Sequence, residues 1–262
     1  MFSAHIAMWR YVWLIVASTI AGVMNAMAGG GSFLSFPAMM GVGVPPVQAN
    51  ATNTVALWPG QLTSLAALRG DVRKDLLTTL ILTSIVGGVS GAETLVHTRQ
   101  SAFLHLIPWL MLGGTVIFGI SGPLSKWLKR RSQHPHVQKP IPKLWLALAL
   151  LPVCFYIGYF GAGGGFLVMT ILALFGMEDM HQLNALKVVA ATSSNFCAIV
   201  TFIAMGAIVW HDCFVAMVFA GAGGYVGAKF TKRIRGEVLR WTVVGVGCVI
   251  SAYFFWKQAH GV

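Results

Sequence analysis

The sequence predicts an all-α protein that crosses a membrane several times and consists of two related halves. The chain is 56% hydrophobic and only 10% charged, apolar stretches of helix length recur throughout, and one glycine triplet occurs in each half. Soluble domains carry about 25% charged residues, and a soluble core of this size could not bury so much apolar surface. Lipid therefore covers part of the surface, and we expect one integral membrane domain.

Ten apolar stretches account for the predicted helices. Eight of them approach the ~20 residues that a membrane-spanning helix needs. Two shorter stretches, 32–42 and 166–176, directly follow the glycine triplets Gly29–Gly31 and Gly163–Gly165. At a rise of about 1.5 Å per residue, each covers about half of a ~30 Å hydrocarbon layer. The eight long stretches are 9–28, 47–68, 75–96, 102–122, 143–160, 183–205, 210–229 and 238–257.

The glycine triplets predict breaks in the helices. Each glycine destabilises a helix by about 1 kcal/mol relative to alanine, so three in a row favour an interruption. An interruption at membrane depth frees backbone polar groups, and it is tolerated only when buried in protein or lining a watery cavity. We expect a discontinuous or re-entrant half-helix after each triplet. Close helix packing through small residues is the alternative explanation.

The two halves of the chain resemble each other. When the chain is aligned with itself so that the second triplet lies on the first, Asn184 falls on Asn50 and Asn195 on Gln61. We call residues paired by this self-alignment counterparts. The match is weak residue by residue, but its order runs through both halves, which is typical of an internal repeat. Each half then has five membrane elements. The first half comprises residues 1–125, a basic linker 126–142, and the second half 143–262.

The placement of charge predicts the orientation of the halves. The 18 Lys and Arg residues against 7 Asp and Glu give a net charge of +11, and the basic residues lie in short loops between apolar stretches. This pattern marks cytoplasmic loops and argues against a nucleic-acid partner. The basic loop follows the third element in the first half, at 69–74, but the fourth in the second half, at 229–240. The sequence therefore predicts inverted-topology repeats in a cell inner membrane, with both termini periplasmic.

Motifs in both halves resemble one known family. The first half contains GVMNAMAGGGSFLSFP at 22–37, GVPP at 43–46, ANATN at 49–53 and GGVSGA at 87–92. The second half contains GYFGAGGG at 158–165 and ALKVVAAT at 185–192. A glycine-rich turn, a short helix ending at a proline, and a helix opening with Ala and Thr or Asn are typical of the TauE/SafE family of anion exporters. The chain resembles this family over nearly its whole length.

The resemblance implies export or uptake of small anions such as sulfite, sulfonates or sulfoacetate. With the inverted repeat, it predicts a secondary transporter, an exporter that works by alternating access around a midplane site. The expected partners are a small anionic substrate and the lipid bilayer, and nothing indicates the oligomeric state. The second half departs from the pattern at Ile171, where the first half has Pro37, so the end of its short helix stays open.

Other function classes have less support in the sequence. There is no P-loop for ATP. One alternative is a membrane-embedded enzyme, which should show clustered carboxylates or paired histidines. The other is a membrane-protein assembly factor, which should have a groove for partner helices and transport no anion. The four cysteines lie singly, so no metal site, cofactor or disulfide is predicted. Glu93 and His97 are candidates for coupling to protons, although pairing with Arg99 is the favoured explanation.

A broken helix offers what an anion needs at membrane depth. Free backbone N–H groups and the positive end of the helix dipole point into the break. Uncharged side chains nearby, Asn53, Gln61 and Asn195, could orient an oxyanion or simply bond neighbouring helices.

Lys187 is the candidate counter-charge in the second half. A lysine at membrane depth is costly and often marks an ion path, but near a helix end it can extend to the membrane interface instead. The predicted site consists of Gly29, Gly30, Gly31, Ser32, Asn53, Gln61, Gly163, Gly164, Gly165, Lys187 and Asn195.

Overall fold

The computed structural model describes residues 2–27, 29–131, 141–230 and 236–260, and within them all regular structure is helical. Each of the ten apolar stretches coincides with one α-helix, and a single turn of 3-10 helix, Arg69–Asp71, follows the third. The helices are α1 Phe2–Met27, α2 Ser32–Gly41, α3 Pro46–Leu68, α4 Lys74–His97, α5 Gln100–Arg131, α6 Lys143–Tyr159, α7 Gly164–Leu174, α8 Met180–Ala204, α9 Trp210–Phe230 and α10 Gly236–Ala259.

Helix length and composition are those of a membrane protein. Within the described ranges, three helical segments are long and apolar enough to cross a membrane: Lys74–His97, Gln100–Pro123 and Met180–Ala204. Helix α5 continues to Arg131, beyond the boundary at 125 predicted for the first half. The part of the predicted linker at 132–140 lies outside the described residues.

Helix α2 folds back along α1. At its start, a Cβ added to Gly31 would overlap the carbonyl oxygen of Ala21, and at its end a Cβ on Gly41 would lie 3.7 Å from the ring of Trp13. The two helices are therefore antiparallel, and α2 returns to the end of α1 from which the chain came. This folding back is the arrangement expected of a re-entrant half-helix.

Helix α7 has the same relationship to α6. A Cβ on Gly164, at its start, would overlap the side chain of Ile157 near the end of α6. Leu172, near the end of α7, belongs to the same buried cluster as Leu146 and Leu150 of early α6. The missing proline at Ile171 does not shorten the helix, since α7 has 11 residues and α2 has 10.

Helix contacts in one half have counterparts in the other. Helix α1 packs on α9 and α6 on α4, α3 packs on α9 and α8 on α4, and α2 packs on α10 and α7 on α5. These contacts correspond when each helix α1–α5 is exchanged with the helix at the same place in the other half, α6–α10. The exchange turns the contact α1–α9 into α6–α4, α3–α9 into α8–α4, and α2–α10 into α7–α5. The same exchange converts the contacts α3–α8 and α5–α10 into themselves.

Glycines bring the helices at two of these interfaces into backbone contact. Between α1 and α9, a Cβ added to Gly223 would overlap the carbonyl oxygen of Thr19. Between α4 and α6, a Cβ added to Gly158 would overlap the carbonyl oxygen of Gly88. Such contacts through small residues are typical of helix bundles in membranes, where van der Waals packing replaces the hydrophobic effect.

We predict that Gly223→Ala lowers the free energy of unfolding by about 1–3 kcal/mol, because the added methyl group forces α9 away from α1. Gly221→Ala is the matched control, since a Cβ there meets nothing within 4 Å. Alanine at that position should be neutral, or stabilising by up to about 1 kcal/mol through helix propensity. Thermal unfolding of both variants in detergent tests this, and equal effects would contradict the proposed close contact.

Candidate anion-binding cavity

A cavity of about 310 Å³ lies where the two glycine turns meet. Its wall is formed by the turn between α1 and α2, the turn between α6 and α7, the second halves of α3 and α5, and residues 184–195 of α8. Polar and glycine positions dominate this wall. They are Asn25, Gly29, Gly30, Ser32, Gly60, Gln61, Ser64, Gly161, Gly163, Gly165, Asn184, Lys187, Thr192 and Asn195, with Phe118, Phe166 and Leu68 among the apolar residues.

Both turns use backbone conformations that favour glycine. The φ angles are 72° at Gly29, 108° at Gly30, 82° at Gly161 and 78° at Gly163, all in the region that residues with a Cβ avoid. These angles reverse the chain within a few residues. As a result, α2 and α7 both begin at the cavity.

The reversal leaves backbone donors at the start of each half-helix. In the first turn the N–H groups of Gly30, Gly31 and Ser32 donate to no described residue. In the second turn the same holds for Gly163 and Gly165. The first N–H groups of any helix lack an intrahelical acceptor, and the helix dipole adds positive potential there. The cavity wall is therefore rich in unused donors.

Lys187 is a cation on this wall with no carboxylate partner among the described residues. Its Nζ lies 5.1 Å from the centroid of the Phe166 ring, and its stem packs beside Gly165, where an added Cβ would come within 3.2 Å of Lys187 Cγ. No Asp or Glu lines the described part of the cavity. No described carboxylate therefore balances the charge of Lys187.

Uncharged groups from α3 and α8 complete the polar wall. Asn195 Nδ2 donates to Gln61 Oε1 at 2.9 Å, and Trp58 Nε1 donates to the carbonyl oxygen of Thr192 at 3.2 Å. The hydroxyl of Thr192 and Oδ1 of Asn195 are buried without a hydrogen-bond partner. Since buried polar atoms are normally paired, the unpaired hydroxyl next to a cavity indicates a place for a ligand or water.

The lining of the cavity includes Leu68 but none of the residues of a nearby aromatic cluster. It reaches Leu68, the last residue of α3, and we name this side the open end. On the other side Phe36, Phe103, Tyr159 and Phe160 are buried against each other, with ring centroids 5.7 to 6.4 Å apart. We name this aromatic side the closed end.

Eight of the eleven predicted site residues lie on the cavity wall, and three lie off it. Gly31 and Gly164 pack against Ala21 and Ile157, because successive residues of a turn face different directions. Asn53 is buried away from the cavity, where its Oδ1 accepts a hydrogen bond of 2.5 Å from Ser35 Oγ. The cavity lining does not include these three residues, whose side chains or Cα atoms pack against neighbouring helices instead. The role of the other eight in binding stays a prediction.

Several wall residues were not in the predicted set. Ser64 lies three residues after Gln61, and Asn184 lies three residues before Lys187, so helical spacing could have identified both. Asn25, just before the first triplet, and Thr192, which lies with Asn184 in α8, are polar positions that the sequence offers as possible donors outside that set. Phe118 had no sequence signal, because it comes from α5 and reaches the cavity only through the packing of that helix on α7 and α10.

We predict that Gly163→Ala lowers the free energy of unfolding by about 1–3 kcal/mol, the usual cost of a side chain forced into the left-handed region. The added Cβ would also lie 3.2 Å from the carbonyl oxygen of Gly114. Gly165→Ala is the matched control, since this helical glycine has no positive φ and its new Cβ would meet the flexible stem of Lys187. Thermal unfolding in detergent should separate the two variants, and a Gly163→Ala protein as stable as the control would refute the strain argument.

Comparison with known proteins assigns the chain to a family. The family described as Sulfite exporter TauE/SafE matches residues 14–254. Probable membrane transporter protein YfcA of Escherichia coli strain K12 is 26% identical over 95% of this chain and 90% of its own length. Probable membrane transporter protein ORF9 of Sinorhizobium sp is 29% identical over 94% and 93%, and a probable membrane transporter protein of Haemophilus influenzae is 27% identical over 94% of each. No solved structure matches the chain significantly. The chain belongs to the TauE/SafE family and is a membrane transporter.

Proposed function

We propose that the protein is a secondary transporter that exports a small anion, such as sulfite, a sulfonate or sulfoacetate, by alternating access around the cavity. The observation that carries this proposal is Lys187, a cation in the cavity wall without a described carboxylate partner. A lone charge at membrane depth is costly, and an anionic substrate offsets this cost. The family description, Sulfite exporter TauE/SafE, makes sulfite the first anion to test.

The remaining wall supplies neutral donors for an oxyanion. Backbone N–H groups without a described acceptor lie at the starts of α2 and α7, and the unpaired Thr192 hydroxyl and the Gln61 amide belong to residues of the same wall. One fixed positive charge with several neutral donors binds an anion without holding it too tightly for release. This balance suits a transporter, which must release its substrate in every cycle.

We infer that the two halves are inverted-topology repeats. The exchange of helix contacts between halves supports this, and so do two hydrogen bonds that join counterpart residues, Trp58 to Thr192 and Gln61 to Asn195. A residue that touches its own counterpart lies on the axis relating the halves. The matching breaks, at Gly29–Gly31 and Gly163–Gly165, fall where inverted-repeat transporters bind substrate.

We place the open end in the cytoplasm of a bacterial inner membrane, with both termini periplasmic. Arg69, at the end of α3 next to Leu68, begins the first basic loop, and basic loops are cytoplasmic in inner-membrane proteins. The second basic loop includes Lys229 and Arg240, whereas its Lys232, Arg233 and Arg235 lie outside the described residues. The structure then represents the inward-open state.

Proton coupling through Glu93 and His97 stays a prediction. The structure shows no ion pair between the described residues Glu93 and Arg99, and their pairing stays a prediction as well. Instead, His97 Nδ1 lies 2.8 Å from the backbone oxygen of Glu93. Neither residue lines the cavity, so any coupling would act at a distance from the proposed site.

The experiment that tests the proposal measures flux of sulfite, methanesulfonate, sulfoacetate and acetate in proteoliposomes containing the purified protein. We expect saturable flux of at least one of these anions above that of protein-free vesicles. Absence of flux with all four would refute the proposed substrate class. A membrane-embedded enzyme or an assembly factor, the alternatives, would both give that outcome.

We predict that Lys187→Gln weakens anion binding roughly 10- to 100-fold, the loss expected for one interaction with a charged group. The measurement is the concentration of anion that half-saturates flux. Lys257→Gln is the matched control, because Lys257 is a lysine of α10 that does not line the cavity. If a folded Lys187→Gln protein transports with unchanged affinity, Lys187 is not the counter-charge.

A further inference from the structure

One hydrogen bond joins the two halves at the closed end. Nδ2 of Asn50, a residue of α3 that is only 2% exposed, donates to the backbone oxygen of Tyr159 at 2.9 Å. Tyr159 is the last residue of α6, immediately before the second glycine turn. Its ring belongs to the aromatic cluster that seals this end, and it packs against Phe103 with 5.8 Å between ring centroids. The bond therefore ties a first-half helix to a second-half helix where the cavity is shut.

The counterparts of these two residues lie at the open end. The self-alignment that superimposes the glycine triplets places Asn184 of α8 on Asn50 and Asn25 of α1 on Tyr159. Both counterparts line the cavity. The side chain of Asn184 forms no hydrogen bond with a described residue, whereas Asn50 does. The same two positions are therefore joined by a hydrogen bond in one half of the molecule and form none in the other.

We propose that Asn50 and Asn184 are alternating latches of the transport cycle, which rests on the proposed alternating-access function. Asn50 holds the Tyr159 carbonyl while the cavity is open beside Leu68. When the cavity opens at the aromatic end instead, that bond breaks, and Asn184 Nδ2 donates to the backbone oxygen of Asn25.

The chemistry of both acceptors supports this assignment. Each is a carbonyl in the last turn of the helix that precedes a glycine turn, where backbone oxygens lack some of their intrahelical partners. The Asn25 oxygen accepts from Gly29 N at 3.2 Å and keeps a second lone pair for the Asn184 amide. Each latch spans the two halves, α3 to α6 and α8 to α1. A movement that brings one pair together can therefore separate the other.

Two cysteine reporters can follow the two ends separately. Ser64 lines the cavity at the open end, and its counterpart in the second half is Ala198, which is fully buried. The four native cysteines, Cys154, Cys197, Cys213 and Cys248, are first replaced by alanine. Ser64→Cys or Ala198→Cys is then introduced, and the rate of labelling by N-ethylmaleimide is measured in detergent without substrate.

We expect Asn50→Ala to speed labelling of Cys at 198 about threefold and to slow labelling at 64, because removing one interhelical hydrogen bond shifts a population by roughly this factor. Asn184→Ala should slow labelling of Cys at 198 and leave labelling of Cys at 64 fast. The double variant should restore the ratio of the two rates toward that of the parent. Asn50→Leu, which keeps side-chain volume without a donor, provides a second test if Asn50→Ala does not fold.

Changes of the same sign at both reporters, or no change at either, in a folded Asn50 variant would overturn the latch assignment. The labelling needs no transported anion. Failure of the latches therefore remains distinct from failure of the proposed function, which is judged by flux in proteoliposomes.

Discussion

Backbone N–H and C=O groups cannot stay unpaired in hydrocarbon, and the two glycine turns leave several of them unpaired in the middle of the bundle. The rest of the architecture follows from this constraint. Helix α2 packs against α1, α3 and α10, and helix α7 packs against α5, α6 and α8. Protein rather than lipid therefore surrounds the turns. The remaining donors then lie beside a cavity, where water or an anion can satisfy them.

The two halves share this arrangement but differ in charge. Lys187 and Asn53 are counterparts in the self-alignment of the chain. Lys187 lines the cavity, whereas Asn53 is buried in contact with Ser35. Corresponding helix contacts in the two halves therefore do not imply corresponding side chains at the cavity, and among the described lining residues the positive charge comes from the second half.

Much of the fold could be predicted from the sequence, because lipid imposes strong rules on helix length and on breaks. The apolar stretches and the glycine triplets identified the ten α-helices of the described residues, and the self-alignment paired Gln61 with Asn195, which are in hydrogen-bond contact. Two features could not be predicted. Helix α5 is amphiphilic beyond residue 125, so hydropathy does not show where it ends. Which glycine of a triplet faces the cavity depends on the φ angles of the turn, and one-dimensional spacing contains no such information.

The contact between Gln61 and Asn195 has a consequence for how a binding site can survive movement. Both residues lie in the cavity wall, and each is the other's counterpart. If the two halves rock against each other as proposed, points on their shared axis move least. Groups placed there would keep their distance from an anion throughout the proposed cycle, whereas groups placed further out would exchange their neighbours. The pair would then act as a stationary pivot, at which recognition is independent of the side to which the cavity opens.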